Sequence, residues 1–245
     1  MHPFVSVITP TYNRRFFLPQ LLRNFKNQDY PKNRMELIIL DDSEDSNADI
    51  FQNEDNVRYI KLDEKMKLSD KRNKLNKLAK GEIIVAMDDD DYYPPDRVSH
   101  AVTNILHHKV NLAGSSRIFI YFTKFNVILA FGPYGKYHST NGTFAFRKEY
   151  TLKQQYQSGL DKTEESSFTR KFSEPLVQLD PMKSILCMAH DQNTVDKFTV
   201  LKKNKMLERT NLKLEDFIKD QESLNFYKSI MNHQTGVDDD MEFDF

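Results

Sequence analysis

The chain carries one cysteine in 245 residues, Cys187. That excludes an internal disulfide and a cysteine-built zinc cluster. Its apolar setting, Ile185-Leu186-Cys187-Met188, predicts a buried, inert thiol. Glycine is scarce at seven residues. No loop is glycine-rich, so the backbone cradle with which a P-loop holds phosphate is missing. No apolar run approaches the roughly 20 residues needed to span a bilayer. The first residues lead straight into a strand-like run, without the basic and apolar regions of a secretory leader. Neither sign of charge is in excess: 35 Lys and Arg face 36 Asp and Glu, a net charge of −1. That balance speaks against a nucleic-acid binder. We expect a soluble protein of a reducing compartment, the cytoplasm, in which the sequon Asn141-Gly142-Thr143 is not used for glycosylation.

Hydrophobic residues make up 39% and aromatics 12% of the chain, enough for a globular core. Phe4–Ile8, Leu37–Leu40, Val57–Ile60 and Ile83–Met87 are short β-branched or aliphatic runs, read as strands. Leu18, Leu21, Leu22 and Phe25 recur at helical spacing. A second, basic helix is predicted over Leu68–Lys80, closed by Gly81 as a helix C-terminal glycine. The first half therefore reads β-α-β-β-α-β, an α/β sheet with substantial parallel content. In the second half Leu112–Ser116, Ile118–Phe122 and Val127–Phe131 read as short strands of mixed direction. Asn141–Arg147 is a turn entering a strand, Glu164–Phe172 a helix stopped by Pro175, and Val177–Leu179 and Ser184–Met188 further strands. Met206–Met231 is expected to be helical and charged, and Asp238–Phe245 an acidic, frayed tail. We expect one domain over residues 1–200 and a helical C-terminal extension over 201–245.

The chain is organised around Asp88-Asp89-Asp90-Asp91-Tyr92-Tyr93-Pro94-Pro95. Four adjacent acids follow a buried strand, and two prolines then suit the first turn of a helix. An isolated acidic run is usually a solvated turn. At the carboxyl end of a sheet strand, where ligands of α/β proteins bind, a hard divalent cation held on oxygen is the better reading. Two other polar loops, Thr9–Arg14 and Asp41–Asp45, also follow strands and should gather on the same edge. Diphosphate there would need a metal and basic side chains. Most lysines of the second helix form a solvated face, whereas Lys71 and Arg72 lie nearest the expected site.

Val5-Ser6-Val7-Ile8-Thr9-Pro10-Thr11-Tyr12-Asn13-Arg14, Leu40-Asp41-Asp42-Ser43, Lys71-Arg72-Asn73, Ala79-Lys80-Gly81-Glu82 and the Asp88 cluster with Pro95 follow in order. Together they resemble family 2 glycosyltransferases of the GT-A fold over residues 3–97. The likeness is looser over 111–188 and absent after 197. The acid run with its Tyr-Tyr-Pro-Pro, Asn141-Gly142-Thr143 and Glu164-Glu165 is also similar to members encoded by large DNA viruses, which would place the protein in a host cytoplasm. The resemblance implies a Rossmann-like, mostly parallel mixed sheet flanked by helices, with a nucleotide-binding half over residues 1–100 and an acceptor-binding half over 101–200.

The resemblance also implies roles. Pro10 and Tyr12 would flank the base, Tyr12 by its ring; packing on the sheet edge explains Tyr12 equally. Asp42 would accept a hydrogen bond from the base, favouring uracil, while Asp41 suits a strand-end cap. Asp88 would lie near the ribose, Asp89 between, and Asp90 would bind Mn²⁺ or Mg²⁺, with Asp91 capping the next helix. His190 is the candidate further metal ligand, against a plain surface histidine. Glu165 resembles the general base and Glu164, one residue before it, is the other catalytic candidate; acids favoured at a helix start explain the pair as well. Phe168 and Phe172, spaced i, i+4, should pack inward. His138, Asn141 and Gly142 are expected on the sugar-facing wall, where a β-turn explains Asn-Gly as well.

The function expected is metal-dependent, inverting transfer of a sugar from a nucleotide-sugar, UDP-linked, to a glycan, protein or small-molecule acceptor. A sugar nucleotidyltransferase would carry a glycine-rich first loop, which Thr9–Arg14 is not. An aspartyl phosphatase would need an early Asp-x-Asp-x-Thr, which is missing. A non-catalytic nucleotide-sugar binder is the remaining alternative.

Overall fold

The computed structural model describes residues 2–193, 197, 201 and 206–230. β1 (Val5–Thr11), α1 (Leu18–Lys26), β2 (Met35–Asp41), β3 (Val57–Lys61), α2 (Leu68–Leu78), β4 (Ile83–Ala86) and α3 (Arg97–His108) form the first half. β5 (Leu112–Gly114), β6 (Ile118–Phe122), β7 (Val127–Phe131), β8 (Ala145–Arg147), α4 (Glu164–Phe168), β9 (Val177–Gln178) and β10 (Leu186–Ala189) follow. β11 (Leu207–Arg209), α5 (Leu214–Phe217) and α6 (Gln221–Ser229) complete the described chain.

A seven-stranded sheet runs β3-β2-β1-β4-β8-β5-β9. Its β1, β2, β3 and β4 are mutually parallel, and β8 is antiparallel to both neighbours. Alternation splits each central strand between two layers. Val5, Val7, Leu37, Ile39, Ile83 and Val85 join α1 and α3 in one core. Ile8, Ile38, Leu40, Ile84 and Ala86 meet Leu75 of α2 and Phe168 of α4 in the other. Because both faces are covered, these strands read as continuous apolar runs. A second sheet runs β10-β6-β7-β11. Ile118, Ile120 and Phe122 of β6 face the first core. Its Phe119 and Tyr121 face a third, capped by Leu214, Phe217, Leu224 and Tyr227.

Several expectations are corrected. The basic helix ends at Leu78, and Gly81 is no helix cap. A Cβ there would come within 2.8 Å of the Val5 carbonyl carbon, so glycine is needed for close strand approach. The helix expected over 164–172 stops at Phe168. Arg170, Lys171 and Phe172 are left-handed, with φ of 51, 57 and 59°, so the i, i+4 relation of Phe168 and Phe172 is lost. Phe168 is buried among aromatics, whereas Phe172 lies against His138. Leu207–Arg209 is a strand on β7 rather than helix. The expected acidic tail lies outside the described residues.

Candidate functional site

β1, β2 and β4 deliver their carboxyl ends to one edge, Thr11 in register with Asp41. That edge lines a cleft of about 860 Å³, within the size range of cofactor and small-molecule sites. Pro10, Tyr12, Asp42, Lys71, Arg72, Asp88, Asp89, Asp90, Asn141, Gly142, Glu164 and Glu165 all line it.

Asp41, the last residue of β2, and Asp42 after it divide the work. Asp41 is buried and turned into the protein, accepting from the Ser43 amide, Asn47 Nδ2 and the Tyr59 hydroxyl, each at 2.8 Å. It secures the strand end. Asp42 lines the cleft, pairs with Lys71 and accepts from the Met66 amide at 2.7 Å. Lys71 also donates to the Thr11 carbonyl at 2.9 Å. Both contacts hold its ammonium at the carboxyl ends of β1 and β2. Burial lowers the Lys71 pKa against the pull of Asp42. The Tyr12 ring is half-buried beneath the Lys65 ammonium at 3.8 Å, a cation–π contact.

The acid run separates residue by residue. Asp88 accepts from Arg72 Nη2 at 3.1 Å. Asp89 is buried, and burial followed by the neighbouring Asp90 charge raises its pKa. Asp90 is driven the other way: burial would raise it, but the hydrogen bond from His190 and the charges of Lys197 and Arg14 outweigh that and keep it ionised. Asp91 does not cap α3. Its Oδ1 accepts from the Met188 amide at 2.7 Å, tying the run to β10, and lies 3.7 Å from Lys197 Nζ.

Asp90 Oδ2 is 3.2 Å from His190 Nε2, 3.2 Å from Asn193 Nδ2 and 3.6 Å from Arg14 Nη2. His190 Nδ1 accepts from the Gln192 amide at 3.2 Å, and its Nε2 faces both Asp90 Oδ2 at 3.2 Å and Asn193 Nδ2 at 3.1 Å. Among the described residues no three of His, Cys, Asp and Glu converge on one point. Mg²⁺-type sites commonly use one or two carboxylates and take the rest from water and substrate phosphate. An ionised Asp90 oxygen fits the cation. His190, 3% exposed and not among the cleft-lining residues, would join only through the Nε2 that faces Asp90 at 3.2 Å.

Across the cleft, α4 presents Glu164 and Glu165. Glu164 is buried and accepts from Arg72 Nε at 3.0 Å and Asn141 Nδ2 at 3.1 Å. Asn141 is held in turn by the Tyr156 hydroxyl at 2.9 Å, and Tyr156 stacks on Phe168 at 4.2 Å. Glu164 is thus part of the scaffold. Glu165 lines the cleft, and burial followed by the Glu164 charge raises its pKa. The fully buried Arg72 bridges Asp88 and Glu164, linking the two sides. The charges of Asp88 and Glu164 outweigh burial and hold its pKa up. Gly142 sits where a Cβ would meet Ile185 Cδ1 at 2.8 Å and Asp88 Oδ2 at 3.1 Å. His138 is corrected: it is not among the cleft-lining residues, and its ring packs between Tyr134 and Phe172.

Sequence reasoning gave no role to Arg14, Asn193 or Lys197, which all line the cleft. Arg14 was visible in the first motif and Asn193 in the run after His190. A single lysine such as Lys197 carries no pattern; only the fold brings its Nζ to the Met188 carbonyl at 2.7 Å.

Comparison with known proteins gives the family and the fold. Residues 6–165 match the family model described as Glycosyl transferase family 2. The chain is 33% identical over 108 residues to the poly(ribitol-phosphate) β-N-acetylglucosaminyltransferase TarS of Staphylococcus aureus, covering 42% of this chain and 19% of that protein. It is 36% identical over 96 residues to the GalNAc(5)-diNAcBac-PP-undecaprenol β-1,3-glucosyltransferase of Campylobacter jejuni, covering 36% of this chain and 30% of that protein. The chain thus spans less than a third of either relative. In structure it is similar to S. aureus TarS 1–349 in complex with UDP-GlcNAc, with a TM-score of 0.63 at 22% identity, covering 78% of this chain and 60% of that one. The mannosyltransferase PcManGT of Pyrobaculum calidifontis, in complex with GDP-Man and Mn²⁺, gives a TM-score of 0.63 at 16% identity, covering 94% and 70%. These likenesses establish the GT-A fold.

Proposed function

The chain belongs to glycosyl transferase family 2, and from that premise we propose that it moves a sugar from a UDP-sugar to an acceptor hydroxyl, with inversion and with a divalent cation, Mn²⁺ or Mg²⁺. One observation carries the reading: a single cleft holds an ionised carboxylate at the end of β4 and a carboxylate of raised pKa on the facing helix.

The donor half is read from the β1 and β2 ends. Tyr12 offers a ring to the base, and Asp42 a carboxylate that Lys71 holds in place. Asp88, oriented by Arg72, lies beside Gly142, where the ribose and the donor sugar would pass. Asp90 and His190 would hold the cation, which when bound offsets the charge that develops on the leaving diphosphate. Arg14 and Lys197 add fixed positive charge at the same end of the cleft, where such charge counts most in a transition state.

Glu165 accepts the proton of the acceptor hydroxyl as its oxygen attacks. Raising a carboxyl pKa towards neutrality improves its match to that task, provided it remains ionised at working pH. A single base facing the leaving group supports direct displacement and inversion. Glu164 and Arg72 keep Glu165 in register with the donor end.

The acceptor is read only as a glycan, a protein or a small hydroxyl compound. The UDP assignment is supported by Asp42 at the base position and by the likeness to TarS, crystallised with UDP-GlcNAc; PcManGT, with GDP-Man, makes GDP the control. Purified protein with Mn²⁺ and a panel of UDP- and GDP-sugars is expected to release UDP, and Asp90→Ala or Glu165→Ala to abolish release. Undiminished release by both variants would overturn the roles.

A further inference from the structure

Behind the cleft, the chain after β11 returns to the acid run. The Tyr227 hydroxyl of α6, 1% exposed, donates to the Asp91 carbonyl at 2.8 Å. Asn24 Nδ2 of α1 donates to the same carbonyl at 3.0 Å and to the Tyr227 oxygen at 3.0 Å. Three buried groups thus close a triangle on the backbone of the residue after Asp90. Next to Tyr227, Phe226 stacks on Phe16 at 5.0 Å and meets Phe17 edge-on at 6.1 Å. Phe17 in turn stacks on the His190 ring at 4.8 Å. One helix therefore reaches both members of the Asp90–His190 pair, by a polar path to one and an aromatic path to the other.

We propose that α6 is a positioning element of the donor site, with Tyr227 fixing the backbone beside Asp90 and Phe226 fixing His190 through Phe17. The assignment rests on the reading of Asp90 and His190 as the cation-holding pair. It goes beyond that reading, because α6 lies outside the residues that match the family model. Neither Tyr227 nor Phe226 lines the cleft, so both act through other residues.

Packing explains why these bonds can set geometry. A buried carbonyl held by two donors has no soft direction left, and outer partners of metal ligands typically change metal affinity 10–100-fold when removed. The secondary anchors of α6 are its own. Gln20 Nε2 donates to Ser223 Oγ at 2.7 Å, and the Asp220 carboxylate caps the helix by accepting from the Ser223 amide at 2.8 Å. Tyr227→Phe should therefore leave the helix docked while removing its hold on Asp91.

The test is binding of UDP, with GDP in parallel, by calorimetry in the presence of Mn²⁺ and again in EDTA. Tyr227→Phe and, separately, Phe226→Leu should weaken the Mn²⁺-dependent affinity about tenfold. Both should leave the EDTA affinity, which reports the base side at Tyr12 and Asp42, unchanged. Equal loss in Mn²⁺ and EDTA, or no loss in either variant, overturns the proposal. If one variant does not fold, the other decides. If the unsubstituted protein binds neither nucleotide with Mn²⁺, the proposed function fails and this inference falls with it. Binding by the unsubstituted protein with unaltered variants sinks the inference alone.

Discussion

At the scale of single residues, the site is governed by which carboxylates stay charged. Glu165 is the sharpest case, because burial and Glu164 both favour its neutral form. On the proposed base role activity requires the ionised form, so it should fall as pH drops through the raised pKa. The acid limb of kcat/KM should then lie above the value near 4.3 of an unperturbed glutamate. The stability consequence has the opposite sign. A carboxyl with a raised folded pKa contributes its stability below the unfolded pKa, and that stability is lost as pH rises through the folded one. Glu165→Gln should accordingly raise Tm at pH 8 relative to the parent, with little change at pH 4, while lowering kcat by about 10²–10⁴-fold. Thermal melts at the two pH values and a pH–rate profile check both halves. Arg72 is the reverse situation, a cation whose charge two acids require. Arg72→Met would leave Asp88 and Glu164 without it and should cost about 3–5 kcal/mol, read by denaturant unfolding.

At the scale of elements, glycines mark where backbones must come close. The 3-10 turn Asn141–Thr143 presents Gly142 to Asp88, Ile185 and the Tyr93 hydroxyl. Gly142→Ala would press first on Ile185 Cδ1 and then on Asp88 Oδ2, and should weaken nucleotide binding with a stability loss of about 1–3 kcal/mol; calorimetry and unfolding on the same variant separate the two. Gly81→Ala strikes the β1 backbone, far from the cleft-lining residues. It should cost a similar amount of stability while the nucleotide affinity of the folded fraction stays as in the parent.

At the scale of the whole molecule, C-terminal residues belong to the fold as much as the central sheet does. Leu214, Phe217, Leu224 and Tyr227 cover the outer face of β6, β7 and β10. Phe217→Ala should cost about 3–5 kcal/mol, read as a lower denaturant midpoint.

The architecture of β1 to β4 was legible in the sequence because buried parallel strands announce themselves as continuous apolar runs, and acids stand at the end of β2 and soon after β4. Legibility failed where information is non-local. Nothing near Lys71 says that it turns to Asp42. The pattern around Leu207–Arg209 looked helical because its partner strand lies on β7, far back in the chain. His138 sat close in sequence to Asn141, yet a two-sided aromatic contact draws it off the cleft. The exit of α4 was misread because three left-handed residues in a row have no glycine to signal them.

The bond from Tyr227 to the Asp91 carbonyl joins groups 136 residues apart. Ribosomes add about 5–20 residues per second, so this carbonyl waits on the order of 7–27 s for its donor. Throughout that interval β1 to β4 are already synthesised and able to pair, while the backbone beside Asp90 lacks its outer support. A nascent chain should therefore hold β1 to β4 before the Asp91 carbonyl gains its donor, so on the proposed reading cation affinity would follow the synthesis of α6 rather than the emergence of the motifs themselves.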